Sequence, residues 1–457
     1  MQFGSARSLG LLQAPACAFL MAMAMLAMTA GEAKAVPAFA MQTGEPCQAC
    51  HVGGLGPQLT PFGRNFKLHG YTLRTNPFNI PLAAMLQASY LNTQKDQNPP
   101  PQPNASPNNN VAVDQFSLFF AGGWGDHLGA FIQGTYDGVA EQWHWDQTDI
   151  RAVDDFTVGK TDVTVGASLN NSPGVQDAWN TLPSWGFPYT LSEMAPAPAA
   201  APVLNGAFAQ TTVGLTGYAW INNEFYLEGG GYVSPSANVL SSLGVDPAAL
   251  GAIRGTAPYG RLAWQREAGP GELELGAFAL QAEIFPGLDH TTGLTDRYTD
   301  VGVDGSYIET LKNGDAAGFN TRYLVESQRL NASCILDGST PAACADNSLD
   351  DFRVDAFYYL RHRYGLTVQY FNTTGSPNSV IYANNRTFKP DSSGYVIQLD
   401  TTLFPNADAP LDRRFNARIG LQYTGYTQFD GAGRNFDGLG SNAADNNSVR
   451  LFLWFAD

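Results

Sequence analysis

The sequence predicts an all-β fold, a transmembrane barrel of about sixteen antiparallel strands behind a small helical segment, on three observations. The first is alternation: from residue 80 to residue 457, successive runs put apolar side chains at every second position, as lipid on one face of a strand and water on the other require. The second is the rhythm of the connections. Tight turns such as Gly125-Asp126-His127, Gly159-Lys160, Asn222-Asn223, Pro270-Gly271 and Asn313-Gly314 fall between longer polar stretches such as 98–110, 172–206 and 331–349. The third is composition, with 14% charged residues and 12% aromatic, where soluble globular proteins carry roughly 25% charged.

Strands are expected to begin near residues 80, 111, 128, 149, 162, 207, 224, 256, 272, 296, 315, 350, 366, 391, 414 and 446. In the clearest run Phe415, Ala417, Ile419, Leu421 and Tyr423 share one face, and Asn416, Arg418, Gln422 and Thr424 the other. Val213, Leu215, Ala219 and Ile221 repeat the pattern, as do Tyr395, Ile397, Leu399 and Leu403. The last run, Val449 to Phe455, is apolar and aromatic, as a closing strand should be. A soluble sandwich or propeller also alternates, but the regular exchange of tight and long connections with so few charges favours the membrane. The stretch 172–206, with Trp179 and Trp185, is a candidate for a loop folded inward. Asp154, Asp155, Asp296, Asp300, Asp346, Asp350 and Asp351 are read as solvated charge on or near outer loops.

Residues 1–35 read as a signal peptide: Arg7, an apolar stretch from Ala18 to Met28, then Ala33-Lys34-Ala35. Cleavage is expected after Ala35, with Ala40 the second choice. No later run approaches the roughly 20 apolar residues of a membrane helix. The net charge of −16 argues against nucleic acid as a partner, since phosphate binding needs clustered Lys and Arg.

Of the five cysteines, Cys17 leaves with the signal peptide. Cys334 and Cys344 are expected to form a loop disulfide, worth up to about 3 kcal/mol by loop-closure entropy. Cys47-Gln48-Ala49-Cys50-His51 is a CxxCH motif. Its two thiols can add to the vinyl groups of one haem, and His51 can ligate the iron. Zinc would want a second CxxC pair and a thioredoxin-like site a βαβ setting; neither is present. Residues 36–79 form the haem-binding segment and 80–457 the barrel. Thr60-Pro61 reads as an N-cap with proline at the first helical position and Gly70 as the residue past the helix end, so a short helix is expected over 61–69. For the sixth position on the iron the segment offers His69 first and Met41 as the alternative.

Taken with Leu59-Thr60-Pro61-Phe62-Gly63-Arg64, Lys67-Leu68-His69-Gly70-Tyr71-Thr72-Leu73, Asp149-Ile150-Arg151 and the stretch from Asn170-Asn171-Ser172-Pro173 to Ala178-Trp179, the exported CxxCH resembles the cytochrome-porin fusions, best known as outer-membrane iron oxidases. The resemblance implies one covalent haem c, a place in the bacterial outer membrane among its lipids, and electron transfer between an extracellular donor or acceptor, Fe²⁺ among them, and a periplasmic c-type cytochrome. As an enzyme it would be an iron:cytochrome c oxidoreductase. The alternative is a solute porin with an appended cytochrome segment. A pyridine haemochrome assay on the exported protein is expected to return one haem per chain, and two or none would sink the motif reading.

Overall fold

The computed structural model describes residues 38–75, 81–340, 344–404 and 415–457. The signal-peptide reading of 1–35 lies outside them. Seventeen strands run among the described residues, numbered in chain order. They are β1 (Leu82–Thr93), β2 (Asn110–Trp124), β3 (Leu128–Asp137), β4 (Gln142–Val158), β5 (Thr161–Asn170), β6 (Val213–Ile221), β7 (Phe225–Val233), β8 (Ala252–Ile253) and β9 (Ala257–Ala268). Then follow β10 (Gly271–Phe285), β11 (Asp296–Thr310), β12 (Ala316–Leu330), β13 (Asp346–Leu360), β14 (Tyr364–Gly375), β15 (Ser392–Thr402), β16 (Asn416–Gln428) and β17 (Ser448–Ala456). Setting aside the two-residue β8, sixteen long strands pair antiparallel with their neighbours, and β1 pairs with β17 from Met85↔Ala456 to Thr93↔Ser448. The barrel is closed, so no strand edge is left open.

Alternation along each strand sorts side chains between lipid and lumen. Leu215, Leu262, Val301, Val303 and Leu399 are each more than half exposed on the outer face, tolerable only where that face meets hydrocarbon. The inner face carries Arg151, Arg261, Arg322, Arg418 and Arg450, all buried. The chain is a transmembrane β-barrel of the outer-membrane kind. No helix among the described residues is long and apolar enough to cross a membrane.

Most strands start within a few residues of expectation. Two differ: β4 begins at Gln142 rather than near 149, and β6 at Val213 rather than near 207. The Gln142–Thr148 stretch is strand in a region read as loop, and Ala207-Phe208 belongs to a helical turn over Val203–Ala207 and its cap. Asp300 and Asp351 are buried on the inner faces of β11 and β13 rather than on outer loops. Asp154 and Asp155 stand on β4 near the tight turn to β5, at the end where short turns put the periplasm. Cys334 and Cys344 are paired as a disulfide, Cα to Cα 6.0 Å.

Two bodies fill the lumen. The loop between β5 and β6 folds inward: Val175, Ala178, Trp179 and Leu182 are at most 1% exposed. Its Asp177 pairs with Arg261 of β9 at 3.3 Å, the Trp179 Nε1–H donates to Gln265 at 2.6 Å, and the Phe187 carbonyl accepts from Gln369 of β14 at 2.5 Å. The second body is residues 38–75, with helices α1 (Ala38–Thr43), α2 (Cys47–Cys50) and α3 (Pro61–Leu68). Wall strands on several sides bond to it. Tyr71 donates to Asp149 of β4 at 2.6 Å, Tyr218 of β6 to the Leu68 carbonyl at 2.7 Å, Arg64 to Ser306 of β11 at 3.3 Å, and Asn416 of β16 to the Gly54 carbonyl at 2.8 Å.

Wall, plug and inward loop meet at Arg151. Its Nε bonds Asp149 at 2.9 Å, while its other nitrogens donate to the Lys67 carbonyl at 2.8 Å and the Gln176 carbonyl at 2.6 Å. Arg151→Ala strands the buried Asp149 charge and frees both carbonyls, so a loss of about 3–5 kcal/mol is expected. A clear fall in the temperature at which the barrel loses its folded mobility on SDS gels checks this; an unchanged temperature contradicts it.

Candidate functional site

The CxxCH motif lies on a single helical turn. Cys47 and Cys50 are three apart, so both thiols stand on one face of α2, free and half-buried. The turn is clamped from behind by α3. Thr60 caps α3 by accepting from the Gly63 N–H at 3.2 Å, and its hydroxyl donates to the Ala49 carbonyl, while its N–H bonds the Cys50 carbonyl at 2.9 Å. Gly63 lets the two helices touch, since a Cβ there would stand 2.3 Å from the Cys50 carbonyl oxygen. Helix α3 matches the expected span but for its last residue, His69 acting as C-cap and Gly70 following at φ 65°.

His51 heads a tight loop through Val52-Gly53-Gly54-Leu55-Gly56 that the barrel wall holds. Arg418 donates to the Gly53 carbonyl at 3.1 Å, and the Tyr359 ring sits where a Gly53 side chain would be. Asn180 of the inward loop donates to the Pro57 carbonyl at 2.8 Å and accepts from the Leu59 N–H at 2.9 Å. Burial first, then the Arg418 charge, lowers the His51 pKa to about 4, so its imidazole is neutral, the form that binds metals. Its Nδ1 is buried without a hydrogen-bond partner.

These residues fit a haem c. Two free thiols share a face, the adjacent imidazole is neutral, and one buried ring nitrogen is unpartnered. They fit a redox disulfide poorly. A reactive CxxC has a depressed thiol pKa, whereas burial pushes Cys47 up, and burial followed by the neighbouring Cys47 pushes Cys50 up to about 12. Among the described residues no group of three or more His, Cys, Asp and Glu could hold a metal ion.

His69 is disposed otherwise than expected for the sixth ligand. Its Nδ1 is 2.8 Å from the Asn65 carbonyl and its Nε2 3.2 Å from the Thr164 hydroxyl of β5, with Asp155 at 3.8 Å. Both ring nitrogens are engaged, whereas Nδ1 of His51 has no hydrogen-bond partner. Met41 lies half-buried in α1. Sequence reasoning missed Arg418, Asn416 and Asn180 as residues holding the motif, because an inward polar residue on a strand carries no mark of what it meets.

Gly63→Ala forces α2 and α3 apart, an overpacking worth about 1–3 kcal/mol. Limited proteolysis of the folded barrel is expected to cut this variant within 44–75 while leaving the strands intact; equal resistance to the wild type would count against the clamp.

No protein-family model matches the chain, and no curated protein does. Among solved structures the chain is similar to an anion-selective porin from Comamonas acidovorans, at 13% identity over 82% of this chain and 98% of that one, TM-score 0.46. It is similar also to OmpT, an outer membrane protein of Vibrio cholerae, at 8% identity over 84% and 99%, TM-score 0.44. A third is the outer membrane channel DcaP of Acinetobacter baumannii, at 10% identity over 83% and 97%, TM-score 0.44.

Proposed function

We propose that this outer-membrane barrel is an electron conduit: one haem c, joined to Cys47 and Cys50 and ligated by His51, exchanges electrons with an extracellular donor or acceptor on one side and a periplasmic c-type cytochrome on the other. The observation that carries the reading is the setting of the CxxCH motif, inside a closed barrel and bonded to its wall and to the inward loop. Bound haem supplies one-electron chemistry by cycling its iron between ferrous and ferric. The chain's own residues do the rest. Arg418, Asn416 and Asn180 fix the loop after His51, the α2–α3 clamp fixes the thiols, and burial keeps the His51 imidazole neutral. His69 serves as sixth ligand only by leaving Asn65 and Thr164, so a changed low-spin spectrum in His69→Ala marks it as the ligand and an unchanged one rules it out.

The second reading is a solute porin, and the inward loop favours it, since a porin narrows its lumen in that way. Between α3 and the wall around Trp220, Gln265 and Glu272 lies a cavity of about 220 Å³, a space for water and small ions. Two measurements on the same purified protein separate the readings. Haem reduction by Fe²⁺ or another donor, with single-channel conductance near baseline in a planar bilayer, supports the conduit. Steady porin-like conductance with a haem that no outside donor reduces supports the porin.

A further inference from the structure

Polar side chains are many in the lumen, yet an aromatic seam crosses it. The seam starts at the motif: the Trp454 ring of β17 stands 3.3 Å from where a Cβ on Gly56 would be. Trp454 is buried in one cluster with Phe452 and Leu55, and Tyr189 of the inward loop packs against that cluster. Tyr189 meets Phe187 edge to face, ring centres 5.4 Å apart. Phe187 shares the next cluster with Phe371 of β14, and Tyr426 of β16 packs against it, 5.7 Å from Phe371. From Tyr426 the step to Phe429 is 5.0 Å and from Phe429 to Phe436 5.1 Å. Phe436 is half-buried in the outer loop that follows β16, close in sequence to Leu439, which is 91% exposed.

Packing alone asks only that each ring be buried among neighbours. Here rings from separate stretches of chain fall into two packed clusters joined by the Tyr189–Phe187 pair, and together they lead from beside the CxxCH loop to the outer surface. A single haem cannot cover an apolar layer about 30 Å thick, so a conduit needs a bridging medium. We propose that this seam is the electron route between the outer surface near Phe436 and the haem held by Cys47, Cys50 and His51, an inference that rests on the conduit reading above. The electron tunnels through closely packed π systems. An outer donor loses one electron and the ferric haem iron gains it. Every ring leaves the exchange as it entered, so no bond is made or broken and no proton moves.

The test uses the full-length haem-loaded protein and its Phe429→Leu and Tyr426→Leu variants, with Phe319→Leu, at a ring exposed on the outer face, as the control. Haem reduction by a donor too bulky to enter the barrel is followed together with haem absorption and midpoint potential. The two seam variants are expected to slow reduction at least tenfold with spectrum and potential unchanged, while the control keeps the wild-type rate. Equal rates in all four proteins overturn the proposal. A second measurement needs no haem. In a Cys47→Ser, Cys50→Ser protein, a ruthenium photo-oxidant is attached at Leu439→Cys and flashed. The excited ruthenium gives one electron to a dissolved cobalt(III) ammine, which is reduced to cobalt(II), and the ruthenium(III) so formed takes one electron from the seam, leaving a ring radical cation that dissolved oxygen traps. Peptide mass mapping is expected to find oxidation at Tyr189 or Trp454, and to lose it with Phe429→Leu; no oxidation there overturns the route. Oxidation there, in a protein whose haem accepts no electron from any outside donor, keeps the seam and removes the conduit reading.

Discussion

Arg151 and Asp149 stand two positions apart on the inward face of β4, 2.9 Å from each other and out of reach of solvent. An ion taken from water loses several kcal/mol of hydration, and the attraction of one partner repays it only if the remaining donors and acceptors are filled. They are filled by parts of the chain far apart in sequence. Asp149 also accepts from Tyr71 at 2.6 Å and Ser168 at 2.7 Å, and Arg151 reaches the carbonyls of Lys67 and Gln176. The guanidinium lies between the Tyr71 and Tyr218 rings, 5.4 and 5.5 Å from their centres. The pair is therefore satisfied only when plug, wall and inward loop are all in position, which makes it a condition on the whole lumen.

The same logic recurs around the barrel. Arg261 holds Asp177 of the inward loop together with Glu274 and Asp304 of the wall, and Arg450 binds Asp114 at 2.6 Å and Thr190 at 2.7 Å. Each buried arginine offers five donors in a fixed fork, enough to neutralise a wall carboxylate and still tether a backbone carbonyl or hydroxyl of the filling. A lumen built this way is held by directional bonds as well as by apolar clusters such as Leu68 and Trp179 against Tyr218, Trp220 and Tyr226. That explains how a chain with 14% charged residues keeps so many of its arginines inside.

How far the fold could be read in advance follows from what a strand reveals about itself. Period-two alternation marks which side chains face lipid, so Leu421 and Gln422 were assignable to opposite faces, and Thr60-Pro61 with Gly70 marked a helix by local rules alone. Alternation does not say what an inward residue meets. Arg418 and Asn416 look like any water-facing pair, yet they hold Gly53 and Gly54. The motif Asp149-Ile150-Arg151 stood out in the sequence without disclosing that it joins three bodies. His69 was a fair candidate by residue type, but Thr164, which engages it, comes from a distant strand. Phe187, Phe371 and Tyr426 share no local pattern at all, because their contact depends on how the inward loop crosses the lumen.

Trp454 sits on the strand that shuts the barrel, and its ring rests on Gly56, with Leu55 beside it and Met85 of the first strand packed on the same cluster. The seam where the two ends of the sheet meet thus has Leu55 and Gly56, from the segment ahead of the first strand, as its inner lining. Zipping β1 to β17 and docking that segment complete each other: Trp454 of the last strand has its full set of contacts only in a molecule where Leu55 and Gly56 are also in place.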